Sequence, residues 1–198
     1  MLEGVSASTW VSISVTAIRL RFEGWIGSPE RVDSGTEDDT VTQKITPFLW
    51  FDDSAEEATN FYVSIFKNSE VLSINRYGEA GPGAAGTVMS TSFGLDGQEF
   101  MALNGGPHFK FTEAVSFFID CKTQDEVDGL WEKLSDGGET SQCGWLKDKF
   151  GLSWQVIPSA LGEMLGDKDR ERANRVMQAM LQMTKIDIAK LKEAYDQE

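Results

Sequence analysis

An order of apolar segments that occurs twice constrains this chain more than any other feature. The first copy opens with Ile45 to Phe51, an aromatic-rich run from Lys44 onward that is short enough to be a strand. Ser54 follows, with Ala55, Glu56 and Glu57 behind it. That places a hydroxyl and two carboxylates where a helix N-terminus has unpaired N–H groups and positive potential. Ala58, Phe61, Tyr62, Ile65 and Phe66 recur at helical spacing, as the stripe of a helix laid on a sheet does. Three strand-like runs come next, Glu70 to Tyr77, Thr87 to Leu95 and Glu99 to Leu103. Gly78 to Gly86 separates the first two, and the hairpin dipeptide Asp96-Gly97 separates the last two. The unit reads β-α-β-β-β.

The second copy starts at Ala114 to Cys121. Thr123 and Glu126 then match a capping box ahead of a helix carrying Val127, Leu130, Trp131 and Leu134, which ends at Gly137-Gly138. Gly144 to Lys149 and Ser153 to Ile157 read as strands around a turn at Phe150-Gly151, with one further strand short or hidden between Glu139 and Cys143. Past Pro158 the chain reads as helical: Leu161 to Leu165, Arg170 to Met183, and a last helix capped by Asp187. The expected organisation is a loosely ordered leader and linker over residues 1–43, a paired domain over 44–160, and a helical extension over 161–198 that packs on the domain or on a partner subunit. Met177, Met180 and Met183 read first as helix packing, with an adaptable binding surface as the alternative.

Eighteen Lys and Arg against 32 Asp and Glu give a formal charge of −14, which repels phosphate backbones and anionic head groups. Nucleic acid and membrane are therefore not expected partners. Cys121 and Cys143 lack the density and spacing of a disulfide framework or zinc site, and both are expected reduced. No apolar run reaches the roughly 18 residues of a membrane span, and no secretory pattern follows Met1, so the expected location is the cytoplasm.

Several strings sharpen the repeat. They are Ile45-Thr46-Pro47-Phe48-Leu49-Trp50-Phe51-Asp52, Ala55-Glu56-Glu57-Ala58 through Asn60-Phe61-Tyr62, Leu103-Asn104-Gly105-Gly106-Pro107, and Cys143-Gly144-Trp145-Leu146-Lys147-Asp148-Lys149-Phe150-Gly151 with Ser153-Trp154-Gln155-Val156. With Asn174-Arg175-Val176-Met177 and Lys185-Ile186-Asp187, they resemble the PhnB-like branch of the vicinal-oxygen-chelate (glyoxalase and bleomycin-resistance) superfamily over about residues 44 to 192. Members of that branch often carry the label 3-demethylubiquinone-9 3-methyltransferase. The resemblance implies an α+β fold in which tandem βαβββ modules form a cupped mixed sheet, followed by C-terminal helices. It does not imply one activity, because a single scaffold hosts many. Methyl transfer finds no support in the residues, since no Gly-rich loop after a strand with a following acidic residue appears.

The resemblance also implies a place to look for a divalent ion, on the first and last strands of each module, where His, Gln or Glu would serve as ligands. Residues 45–50 and 115–119 offer neither His nor carboxylate, and the strand at 99–104 centres on Phe100, Met101, Ala102 and Leu103. Gln155 stands where the family's metal-binding Glu would. His108, the sole histidine, lies in the loop Gly105-Gly106-Pro107-His108. No metal and no cofactor are expected.

The positions that lack ligands are aromatic. Phe48, Trp50, Met101, Phe117, Trp145 and Trp154 read as an apolar surface for a flat ligand, with Asn104, Lys147 and Asp148 to orient a polar group at its rim and Gln155 as a further ligand-binding position. Each ring has the alternative of filling a core or a subunit interface. The expectation is a metal-free homodimer that binds a small aromatic or quinone-like molecule. The alternative is a glyoxalase-type metal-dependent lyase, isomerase or dioxygenase in which Gln155 is joined by His108 or Glu99. A structural or interaction module is the third class.

Overall fold

The computed structural model describes residues 44–197, so the leader expected over 1–43 lies outside the described residues. The first repeat consists of β1 (Phe48–Phe51), α1 (Ala55–Ile65), β2 (Glu70–Arg76), β3 (Val88–Leu95) and β4 (Gln98–Asn104). Its sheet runs β1-β4-β3-β2, with β1 parallel to β4 and the other pairs antiparallel. The second consists of β5 (Ser116–Cys121), α2 (Gln124–Ser135), β6 (Glu139–Thr140), β7 (Trp145–Lys147) and β8 (Ser153–Pro158). It repeats the order as β5-β8-β7-β6, with β5 parallel to β8. The short strand expected near Glu139 is β6, two residues long.

Local chemistry sets the boundaries. Asp96 and Gly97 both take positive φ, 46° and 86°, as a tight hairpin between twisted strands demands. Thr123 Oγ1 caps α2 by accepting from Glu126 N at 3.2 Å, while Glu126 Oε2 accepts from Lys122 N at 2.7 Å. Ser54 departs from expectation: its hydroxyl makes no capping bond to α1. The open N–H there, that of Ala55, donates instead to Asn104 Oδ1 at 2.8 Å, and Asn104 Nδ2 donates to Val88 O at 3.1 Å. A side chain at the end of β4 thus ties the helix start to the sheet, which the local sequence around Ser54 does not reveal.

Which face of each strand meets the helices follows from contacts and register. Thr59 of α1 hydrogen-bonds Thr91 at 2.7 Å, and Tyr62 stacks near Phe93. Thr91 lies opposite Ala102 and Phe93 opposite Phe100, and Ala102 lies opposite Leu49, so these side chains share the helix side and are buried. In the second sheet Leu146 pairs with Trp154, which pairs with Phe117, and all three pack into the same core. One core therefore serves both modules. Phe100 meets Phe117 edge-on at 5.1 Å between centroids, and Tyr62 lies 5.5 Å from Trp154.

Asp148, expected at the rim of the apolar surface, is instead the polar centre of this core, just past β7 and only 3 % exposed. Its Oδ2 accepts from Tyr62 Oη and from Trp154 Nε1, both at 2.8 Å, and its Oδ1 accepts from Phe150 N at 2.9 Å and Leu152 N at 3.0 Å. Four donors satisfy the two oxygens and fix both the β7–β8 turn and the seat of α1.

Beyond β8 come α3 (Ser159–Leu165), α4 (Arg170–Leu181) and α5 (Ile188–Asp196). Leu161, Val176, Met183, Ile186 and Leu191 bury a second core among them. Asp187 caps α5 by accepting from Lys190 N at 3.1 Å. The segment after α4 is bound to the sheet, since Cys143 N and Gly144 N donate to Met183 O and Thr184 O at 2.8 Å. Gly144 has φ 80°, and a Cβ there would stand 2.8 Å from Val156 O, so the close approach requires glycine. Of the methionine series, Met183 is buried, Met180 packs against the same core and Met177 is exposed.

Two outcomes follow for Asp148. In Asp148→Asn the amide must turn its NH2 toward donors, and the loss is expected to be about 3 kcal/mol in urea unfolding; Tyr62→Phe, which removes one of four bonds, is expected to lose about 1 kcal/mol. Burial pushes the Asp148 carboxyl above its ordinary 3.8, with the donated bonds pulling it back only in part. A raised acid binds protons more readily in the folded chain, so its contribution to stability grows as pH falls through the raised value toward 3.8. The stability gap between wild type and Asp148→Asn should then widen between about pH 7 and about pH 4. A narrowing gap would show that the four donors outweigh burial.

Candidate functional site

With the helix sides sealed, ligand chemistry is left to the opposite faces. On the first sheet Phe48 lies opposite Met101 and Trp50 opposite Leu103, all turned away from α1. Phe48 is 45 % exposed. Trp50 is held in place: its Nε1 donates to Gly106 O at 2.9 Å and Phe109 meets its ring edge-on at 5.0 Å. A Cβ on Gly105 would stand 2.1 Å from the Trp50 ring, so the glycine at that position lets the loop lie flat on the indole. Toward β2 the same face is polar, with Ser73 bonded to Ser92 at 2.7 Å and Asn75 Nδ2 donating to Ser90 Oγ at 3.3 Å.

On the second sheet the open face carries Trp145, Lys147, Ser153, Gln155, Ser116 and Phe118, because Leu146, Trp154 and Phe117 alternate onto the core side. Phe118 is 60 % exposed. Gln155 Nε2 donates to Ser116 Oγ at 2.9 Å. Lys147 Nζ pairs with Glu113 Oε1 at 2.5 Å. That hydrogen bond holds the Glu113 carboxyl below its ordinary range and raises the Lys147 ammonium.

Apart from the buried Asp148, the nine residues singled out from sequence thus fall into three groups. Phe48, Trp50 and Met101 share the open face of the first sheet, and Trp145, Lys147 and Gln155 that of the second. Phe117, Trp154 and Asn104 are turned to the helix side, where Phe117 and Trp154 fill the core and Asn104 holds the start of α1. Sequence reasoning passed over Phe109, Glu113, Ser116, Phe118 and Ser153. The signal for Phe118 was its place in Phe117-Phe118, where adjacent aromatics on one strand must face opposite ways. The two serines are small polar residues inside otherwise apolar strands.

The open faces supply rings, a thioether, hydroxyls, the amides of Asn75 and Gln155 and the ammonium of Lys147. Among the described residues no group of three or more His, Cys, Asp or Glu converges. His108 stays in its exposed loop, where its N–H donates to Gly106 O at 2.9 Å. Cys121 is buried on the core side, and desolvation pushes its thiol up to about 12, so it is not a thiolate at neutral pH. Both cysteines are free. Among the described residues no helix is long and apolar enough to cross a membrane.

The chain is similar to several proteins of known structure. The PhnB protein of Bacillus cereus, described under a 3-demethylubiquinone-9 3-methyltransferase name, is 44 % identical, covers 59 % of this chain and 99 % of its own, and superposes with a TM-score of 0.55. A Staphylococcus aureus protein is 34 % identical over 57 % of this chain and 93 % of its own, with a TM-score of 0.28. The fosfomycin resistance protein FosX of Listeria monocytogenes is 16 % identical over 58 % of this chain and 90 % of its own, with a TM-score of 0.41. No curated protein matches. The model of the family described as 3-demethylubiquinone-9 3-methyltransferase matches residues 43–157, and this chain belongs to that PhnB-like family, with the glyoxalase and bleomycin-resistance fold.

Proposed function

We propose that this chain is a binding protein for a small aromatic or quinone-like molecule, working without a divalent ion, and that two copies pair to cover the open sheet faces. The observation that carries the reading is the composition of those faces. Large apolar side chains stand exposed, among them Phe48, Phe109, Val115 and Phe118, beside hydroxyl and amide groups. Isolated exposed rings are ordinary, but several on or beside the open faces of two sheets mark a surface meant to be covered.

The donor set argues against a metal. Divalent first-row ions favour imidazole, carboxylate or thiolate, and the positions that the fold would offer hold Phe48, Met101, Phe118 and Gln155. Gln155, the one oxygen donor among them, offers a neutral amide carbonyl in place of a carboxylate. Methyl transfer has no support beyond the family's label.

Tryptophan emission reports on the face. A saturable change is expected for some members of a panel of substituted benzenes and quinones, and Trp145→Phe should abolish most of it, since Trp154 lies in the core. No saturable response across the panel would sink the binding reading. For pairing, sedimentation equilibrium is expected to give twice the chain mass, and Phe118→Glu should lower it to one chain while the thermal midpoint moves by only a few degrees. A wild-type chain that sediments as a monomer would rule out the pairing.

A further inference from the structure

One buried group is left over by the fold. Ser153 Oγ is enclosed, with the residue 1 % exposed, and it has no hydrogen-bond partner. An orphaned buried hydroxyl costs about 1–3 kcal/mol, and alanine at the same place in β8 would not incur it. Its surroundings show what it lacks. In register, Ser153 lies between Ser116 of β5 and Lys147 of β7, so three hydrogen-bond donors stand in one row across the open face. Ser116 Oγ accepts from Gln155 Nε2, which leaves its own proton to donate. Lys147 adds an ammonium, held by Glu113 and flanked in the same row by Glu139.

The next row along the strands, roughly 7 Å away, is Phe118, Gln155 and Trp145. Donors in one row and rings in the next suit a ligand with an anionic group on an aromatic body. Two carboxylates beside one ammonium suit a single negative charge better than a double one.

We propose that the Ser116, Ser153 and Lys147 row is an oxyanion subsite that takes the carboxylate of a small aromatic acid, whose ring lies on Trp145 and Phe118. The subsite rests on the binding reading above and adds the charge of the ligand to it. In the free chain Glu113 occupies the place of the ligand carboxylate on Lys147, and binding exchanges one carboxylate for another. The net charge of −14 opposes any anion at long range, so affinity depends on these local contacts.

Benzoate, benzamide and phenyl phosphate, titrated by calorimetry and tryptophan emission, test it. Benzoate should bind about tenfold more tightly than benzamide or more, the worth of one charge-assisted hydrogen bond, and phenyl phosphate should bind more weakly than benzoate. Ser153→Ala should weaken benzoate about tenfold, leave benzamide within about twofold, and keep or raise the unfolding midpoint. Lys147→Met should act on benzoate in the same direction, and Glu113→Gln should tighten it. If benzamide binds as well as benzoate, or Ser153→Ala binds benzoate like wild type, the oxyanion subsite is wrong while the binding reading stands. If none of the three probes nor any neutral aromatic saturates, both fail.

Discussion

The fold turns on a carboxylate placed where carboxylates are costly. Asp148 sits in the shared core between two modules and is tolerated because each oxygen receives two hydrogen bonds. Two of those bonds, from Phe150 N and Leu152 N, are local and shape the β7–β8 turn. The third comes from Trp154 and fixes an indole across the sheet. The fourth, from Tyr62, crosses 86 positions of sequence and joins the modules. Apolar packing alone would let α1 slide over the second sheet; a buried acceptor with few alternatives does not. Lys149, one residue on, adds an exposed pair with Glu57 and lies over the rings of Phe61 and Phe150, so the same turn grips α1 at its surface as well.

Because the helix sides of both sheets close on that core, the paired sheets have one shared interior and two outward faces. Alternation then decides what each aromatic residue can do. Phe117 and Trp154 meet at a tilt within the core, 5.5 Å between centroids, and the residues on either side of them, Ser116, Phe118, Ser153 and Gln155, are left to the open side. Function on this scaffold is a matter of parity along β5 and β8: a shift of register by one residue would trade a binding face for a core.

That parity explains what could be read from the sequence. The tandem order was legible because each signal is local. Asp96-Gly97 carries its own turn, Thr123 and Asp187 cap helices three residues or fewer away, and the stripe of α1 repeats at helical spacing. Strand faces were not legible for Phe117 and Trp154, since Ser116-Phe117-Phe118-Ile119 and Trp154-Gln155-Val156-Ile157 are apolar on both sides or nearly so. Paired in parallel, β5 at the sheet edge and β8 inside it both lose the alternation that marks a half-buried strand. Asn104 misled for another reason. A polar residue at a strand end serves a ligand or a cap equally well, and only the distant placement of Ala55 N decides between them.

The β7–β8 hairpin holds two buried polar side chains five positions apart, and their contrast separates structure from function. Asp148 has every acceptor position used, so its burial is explained within the chain. Ser153 has none used, although its neighbours Ser116 and Lys147 are each engaged elsewhere, with Gln155 and with Glu113. A hydroxyl left out of the network around it adds nothing to folding, and the proposed ligand carboxylate would supply the partner it lacks. The partners it would share are held by groups that can be exchanged: an exposed glutamate that one anion can replace by another, and an amide that leaves a serine proton free. On the proposed subsite, folding and binding divide one short hairpin between its two faces.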